Sequence, residues 1–102
     1  MFVIVWQYQV RPGSESEFER VYSSSGDWVH LFRQAPGFIK TQLLRDPDII
    51  GSYMTLDHWE SQDAFEQFKL RYREQYQVLD HHCEGLTTSE TLLGHFGPVD
   101  QL

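Results

Sequence analysis

In the run "YMTLDHWES", Asp57 and Trp59 stand two residues apart, a carboxyl group and a large π-face. On an extended strand residues i and i+2 share a face, so the pair would look into one space. There Asp57 could take a proton while Trp59 offers a wall for an aromatic molecule. A carboxylate beneath helices is costly unless it is paired or functional. The plainer alternatives stay open: Asp57 meeting water or an amide at a strand end, and Trp59 plugging the strand-to-helix junction. Tyr72, with Tyr76, follows on a helical stripe, where either hydroxyl could orient a substrate oxygen or simply make one core hydrogen bond.

Five histidines, at 30, 58, 81, 82 and 95, are the other candidate bases. His58 adjoins Trp59, but strand alternation sends it to the opposite face. His30 sits near Trp28 and could line the mouth of a pocket. "HHC" at 81–83 invites a metal reading, yet adjacent residues rarely converge on one ion and no second ligand pair stands at useful spacing. No metal site is expected. His81 and His82 fit the end of a helix, where the macrodipole favours positive charge. Cys83 has no neighbour that argues for a nucleophile. The chain has no glycine-rich phosphate loop, GxSxG elbow or dinucleotide fingerprint.

These side chains need elements to position them. "FVIVWQYQV" reads as a first strand ended by "RPG", with Phe2, Ile4, Trp6 and Tyr8 on the face that should meet helices. Ser14 and Glu17 form a candidate capping box before Phe18, Val21 and Tyr22. "SSSGD" breaks this helix near Gly26, Asp27 is a candidate cap for a short second helix, and "APGF" ends it. "FIKTQLLR", a "DPD" turn and "IGSYMTLDHW" make an antiparallel hairpin. Ser61 then caps one long helix with Phe65, Phe68, Tyr72, Tyr76 and Leu79 on one stripe. Gly85 stops it, "LTTSETLLGHF" is the last strand, and "GPVDQL" is a tail.

The order β-α-β-β-α-β is the ferredoxin-like split motif: an α+β fold whose four-stranded antiparallel sheet carries both helical regions on one face. The other face is left bare, and a second copy is its simplest cover. A homodimer is therefore expected. With 102 residues, the chain is read as a single domain over 1–102.

A net charge of −7 is the wrong sign for binding phosphates, which argues against nucleic acid. "MFVIVW", the longest apolar run, is too short to span a bilayer and lacks the features of a secretory signal. One cysteine cannot close an internal disulfide, and the chain is read as soluble and cytoplasmic, with no membrane partner. Three Trp, five Tyr and seven Phe exceed what a small core needs, so some rings should line a cavity.

The run "LLRDPDIIGSYMTLDHWESQDAFEQF", followed by "LDHHCEGLTTSETLLG", resembles the antibiotic biosynthesis monooxygenase family, a branch of the dimeric α/β barrel proteins. The specific part is a hairpin that ends in Trp-Glu-Ser and runs into an Ala-Phe helix. The resemblance implies two sheets forming a barrel between subunits and a pocket between each sheet and its own helices. It also implies oxidation of aromatic polyketides with O2 and neither metal nor flavin, or, in some relatives, haem degradation. The haem degraders use an Asn on the first strand, a Trp after the third and a His on the helix; here Trp59 matches the Trp, but Trp6 stands near the Asn position and Lys69 near the His position. The expected activity is thus a cofactor-independent monooxygenase acting on a small aromatic or quinol-like molecule. Asp57, Trp59 and Tyr72 would act on it, within a pocket of Trp6, Trp28, His30 and Phe68. The alternative is a non-catalytic dimer that binds a small hydrophobic molecule.

Overall fold

The computed structural model describes residues 1–101. Its strands are β1 (Phe2–Val10), β2 (Phe38–Arg45), β3 (Ser52–Trp59) and β4 (Thr87–Phe96). The helices are α1 (Glu15–Tyr22), α2 (Asp27–Phe32), α3 (Gln62–Arg71) and α4 (Arg73–Cys83). The sheet runs β2-β3-β1-β4, antiparallel throughout. This is the ferredoxin-like arrangement.

Alternation along β1 and β3 decides which residues lie under the helices. Ile4, Tyr8 and Val10 on β1 and Tyr53, Thr55 and Trp59 on β3 are buried beneath them. His58 falls on the opposite face, paired in register with Val3 and Lys40 and hydrogen-bonded through Nε2 to Gln42 Oε1 at 3.0 Å. Four helix-facing rows cross the sheet: Phe38-Trp59-Phe2, Thr41-Asp57-Ile4-His95, Leu43-Thr55-Trp6-Leu92 and Arg45-Tyr53-Tyr8-Glu90. The first and last rows carry bulky rings. The two middle rows carry Thr41, Asp57 and Thr55, short side chains that leave room above them.

The first helical region breaks where expected. Gly26 sits there because a Cβ would meet the Val21 carbonyl oxygen at 2.4 Å. Three local expectations need correction. Ser14 precedes α1 but its side chain caps nothing, and Glu17 pairs with Arg20 instead. Asp27 is the first residue of α2 rather than its cap, and its carboxylate reaches Arg20 Nη1 at 3.4 Å. The long helix after Ser61 bends at Tyr72 into α3 and α4. Neither Pro nor Gly marks the bend, which preserves the Tyr72 N to Phe68 O and Tyr76 N to Tyr72 O bonds. Tertiary contact holds it: the Tyr72 hydroxyl donates to the Gln34 carbonyl at 3.0 Å. Ser61 does cap α3, its Oγ accepting from Ala64 N at 3.0 Å. The expected tail forms a single 3-10 turn at Val99–Gln101, and Leu102 lies outside the described residues.

Candidate functional site

The short middle rows create a cavity of about 120 Å³ between the sheet and the helices. Thr41 from β2, Thr55 and Asp57 from β3, and Trp6 and Tyr8 from β1 make its floor. Tyr22 of α1, Trp28 and Phe32 of α2, and Tyr76 and Asp80 of α4 close over it, with Glu90 of β4 at the side.

Asp57 is the chemical centre of this wall. Burial pushes its carboxyl group up to about 6, and the hydrogen bond from Thr41 Oγ1 to Oδ1, at 2.7 Å, pulls the other way. The carboxyl group is therefore poised to gain or lose a proton near neutral pH. Around it stand hydroxyls that keep theirs. Burial raises the phenols of Tyr8 and Tyr22 far above the ordinary range and that of Tyr76 to about 12. Thr55 Oγ1 donates to the Tyr8 hydroxyl at 3.3 Å. The result is a buried, adjustable carboxyl group beside neutral phenols and enclosed by rings, with the exposed acids Asp80 and Glu90 on the same wall.

Of the residues expected from sequence, Asp57, Trp6 and Trp28 lie on this cavity wall. Trp59 does not. It is fully buried in a box of Phe32, Phe38, Phe65 and Phe68, with ring centroids 5.2–5.5 Å away. Asp57 and Trp59 share a face, as alternation requires, but the neighbouring rings fill the space over Trp59. Phe68 belongs to that box. Together with Tyr72 it borders a separate surface groove beside Gly37 and Arg71. His30 is exposed and lines neither space, because the buried face of α2 is taken by Trp28, Val29, Leu31 and Phe32. Tyr72 is anchored outward, to Gln34.

Sequence reasoning passed over Thr41, Tyr8, Tyr22, Asp80 and Glu90 as wall residues. Thr41 was within reach: alternation in "KTQLL", read against Asp57 across the hairpin, puts it under the helices. Asp80 and Glu90 give no such signal, because each is exposed and becomes relevant only once the fold brings both to the same cavity.

No group of three or more His, Cys, Asp or Glu among the described residues could hold a metal ion. Likewise, no helix among them is long and apolar enough to cross a membrane.

Comparisons with known proteins agree with this architecture. Residues 1–71 match the sequence profile of the antibiotic biosynthesis monooxygenase family. Deoxynogalonate monooxygenase of Streptomyces nogalater is 34% identical over 55 residues, 54% of this chain and 44% of that protein. The aligned stretch thus spans under half the length of that curated relative. SnoaB, a cofactor-independent oxygenase of the same organism, superposes with a TM-score of 0.75 at 24% identity, over 95% of this chain and 91% of that one. A mutant of SnoaB gives 0.70 at 27%, over 96% and 92%. The haem degrader MhuD of Mycobacterium tuberculosis, solved with two haems in its active site, gives 0.67 at 25%, over 97% and 96%. With the family profile covering more than half of its residues, this chain belongs to the antibiotic biosynthesis monooxygenase family.

Proposed function

We propose that this chain is a cofactor-independent, cytoplasmic monooxygenase that oxidises a small phenolic or quinol-like aromatic with O2, Asp57 acting as the base. The observation that carries the reading is a carboxyl group with its pKa raised to about 6 on the wall of an aromatic cavity. Such a group is unprotonated at neutral pH and close enough in pKa to a substrate proton to accept it. The family membership and the likeness to an oxygenase support the same chemistry.

In this scheme Asp57 removes the phenolic proton and leaves an electron-rich phenolate. One electron passes to O2, giving superoxide and a phenoxyl radical, and the two combine at a ring carbon to form a C–O bond. Asp57 returns its proton to the peroxide, and the resulting hydroperoxide loses the ring proton to the departing hydroxide as its O–O bond breaks. A quinone remains, and one oxygen atom leaves as water, with no metal or flavin required. Tyr8 and Tyr76 donate to the developing oxyanions while staying protonated themselves. Trp6 and Trp28 supply stacking surface. Trp59 and Phe68 act at one remove, by holding Phe32 in the cavity wall. Tyr72 does so through its hold on Gln34 at the end of α2. They are positioning residues.

The likeness to MhuD raises haem as the alternative occupant, and these residues do not fit it. Sites for drug-sized ligands run to roughly 300–1,000 Å³, against about 120 Å³ here. No histidine lines the cavity, and its three carboxyl groups oppose propionates. A single small ring system suits the volume.

We further propose that a second copy covers the open sheet face, where Val3, Val5, Leu44, Met54, Leu56 and Phe96 stand opposite the helices. Leu44 and Phe96 are about half exposed on it, at 48% and 56%.

Oxygen uptake on a panel of single-ring phenols and hydroquinones tests the function. Wild type should consume O2, and Asp57→Asn should lose about 10²-fold or more of the rate. Activity should rise with pH through about 6 as Asp57 ionises. A wild-type rate in Asp57→Asn, or no uptake on any member, rejects the proposal.

A further inference from the structure

We infer that the Asp57 cavity selects an aromatic amine: a ring bearing an oxygen at one end and a protonated nitrogen at the other. The inference rests on the reading of this cavity as the substrate site and narrows its substrate class by charge.

Every ionic group on the wall is acidic. Asp57, Asp80 and Glu90 line the cavity, and no Lys, Arg or His does. Lys69, over the Tyr76 ring at 5.5 Å, and Arg73 border the neighbouring groove, which shares Tyr76 and Asp80 with this space, but neither lines the cavity itself. Among the described residues neither Asp80 nor Glu90 forms an ion pair. Their negative charge is left without a protein partner. Burial raises the Glu90 carboxyl group first, then the charges of Asp80 and Glu84 raise it further, so a cation arriving there would relieve repulsion as well as gain attraction.

The remaining wall is aromatic. Trp6, Trp28 and Tyr76 present π systems, whose faces carry negative electrostatic potential and attract organic cations. A bare metal ion is a poor alternative, because these carboxylates do not converge into a group able to hold one. An organic cation has the size to touch both rings and acids.

The acids are also ordered along the sheet. Asp57 lies beside Ile4, whereas Glu90 lies beside Tyr8, four residues further along β1 and on its other side. A ligand aligned with this gradient sets its ionisable oxygen at Asp57 and its ammonium at the exposed Asp80–Glu90 mouth. Trp28, only 7% exposed, has a buried Nε1 without a well-aligned acceptor, although the Tyr22 hydroxyl and the Cys83 thiol lie close enough to interact with it. An oxygen on the ligand would supply an aligned one.

Three para-substituted phenols of similar size and opposite or no charge provide the test: tyramine, 4-ethylphenol and 4-hydroxyphenylacetate. Their binding is followed by tryptophan fluorescence and calorimetry at low salt. Tyramine should bind roughly tenfold or more tighter than 4-ethylphenol, with the acid weakest. The double variant Asp80→Asn, Glu90→Gln should bring the three affinities to within about threefold of one another. The inference is overturned if the acid binds as tightly as the amine, or if tyramine fails to saturate the protein below ~10 mM. Binding is read without turnover, so the two claims separate. Amine-selective binding with no oxygen uptake keeps this inference and rejects the oxygenase; faster oxidation of neutral or acidic phenols than of tyramine does the reverse.

Discussion

At the Trp59 end of the sheet, Phe32, Phe38, Phe65 and Phe68 surround one indole and leave it no exposed surface. Two residues back along the same strand, Asp57 and then Thr55 look towards the same layer of helices and find open space. Strand geometry and helix cover are common to both regions. Side-chain volume separates them: a row of three rings against rows containing Thr41, Asp57 and Thr55. A cavity in so small a protein is made by placing short polar residues where the flanking rows place aromatics. Gly37 shows how tightly the closed end is drawn in. Its φ is +92°, and a Cβ there would stand 2.6 Å from the Ala64 Cβ on α3.

The sharpest way to break this contrast is to remove an indole from each region. Trp59→Ala should cost about 3–5 kcal/mol in urea unfolding, because its box cannot collapse around the void. Trp6→Ala, at a half-buried position facing the cavity, should cost about 1 kcal/mol yet weaken ligand binding more than Trp59→Ala does per unit of stability lost. Equal stability losses would mean that the two regions are packed alike.

Asp57 offers the next largest effect, and its sign is the unusual one. The folded carboxyl group holds its proton up to about 6, whereas the unfolded chain releases it near roughly 4. Between those values the native state binds more protons, so the Asp57 contribution falls as pH rises and is lost above about 6. Asp57→Asn should therefore be more stable than wild type at pH 8, by up to about 2 kcal/mol, and equal to it at pH 4. Chemical denaturation at the two pH values measures this. A loss of stability in the variant at pH 8 would show that Asp57 is there for structure, and the opposition between an active cavity and a stabilising box would fail.

Much of this contrast can be read in the sequence, but unevenly. The element order, the broken first helical region and the shared face of Asp57 and Trp59 follow from alternation, caps and glycines, all local signals. The separation of Asp57 from Trp59 does not. It depends on Phe32 and Phe38, which are distant from Trp59 in sequence and reach it only once α2 and β2 are in place. The bend at Tyr72 is hidden for the same reason: its anchor is a backbone carbonyl, that of Gln34, which no residue type announces. Asp80 and Glu90 look like ordinary exposed acids until the fold brings both to one mouth. Side-chain type and period locate a face; which neighbours fill it is a tertiary fact.

The smallest predicted effect tests the finest part of the contrast, the tuning of Asp57 by a neighbour the box lacks. Thr41→Val keeps the shape of the side chain and removes the hydroxyl that donates to Asp57 Oδ1 at 2.7 Å. That bond stabilises the charged form and opposes the effect of burial. Its loss should move the Asp57 titration above 6 by up to about one pH unit, the equivalent of roughly 1 kcal/mol, with little change in overall fold stability at pH 4. Carbon-13 NMR of the Asp57 carboxyl group reads the shift directly, and the activity profile should follow it upward by the same interval. If the titration stays in place, the cavity alone sets the pKa, and Thr41 serves only to keep the middle of the sheet thin.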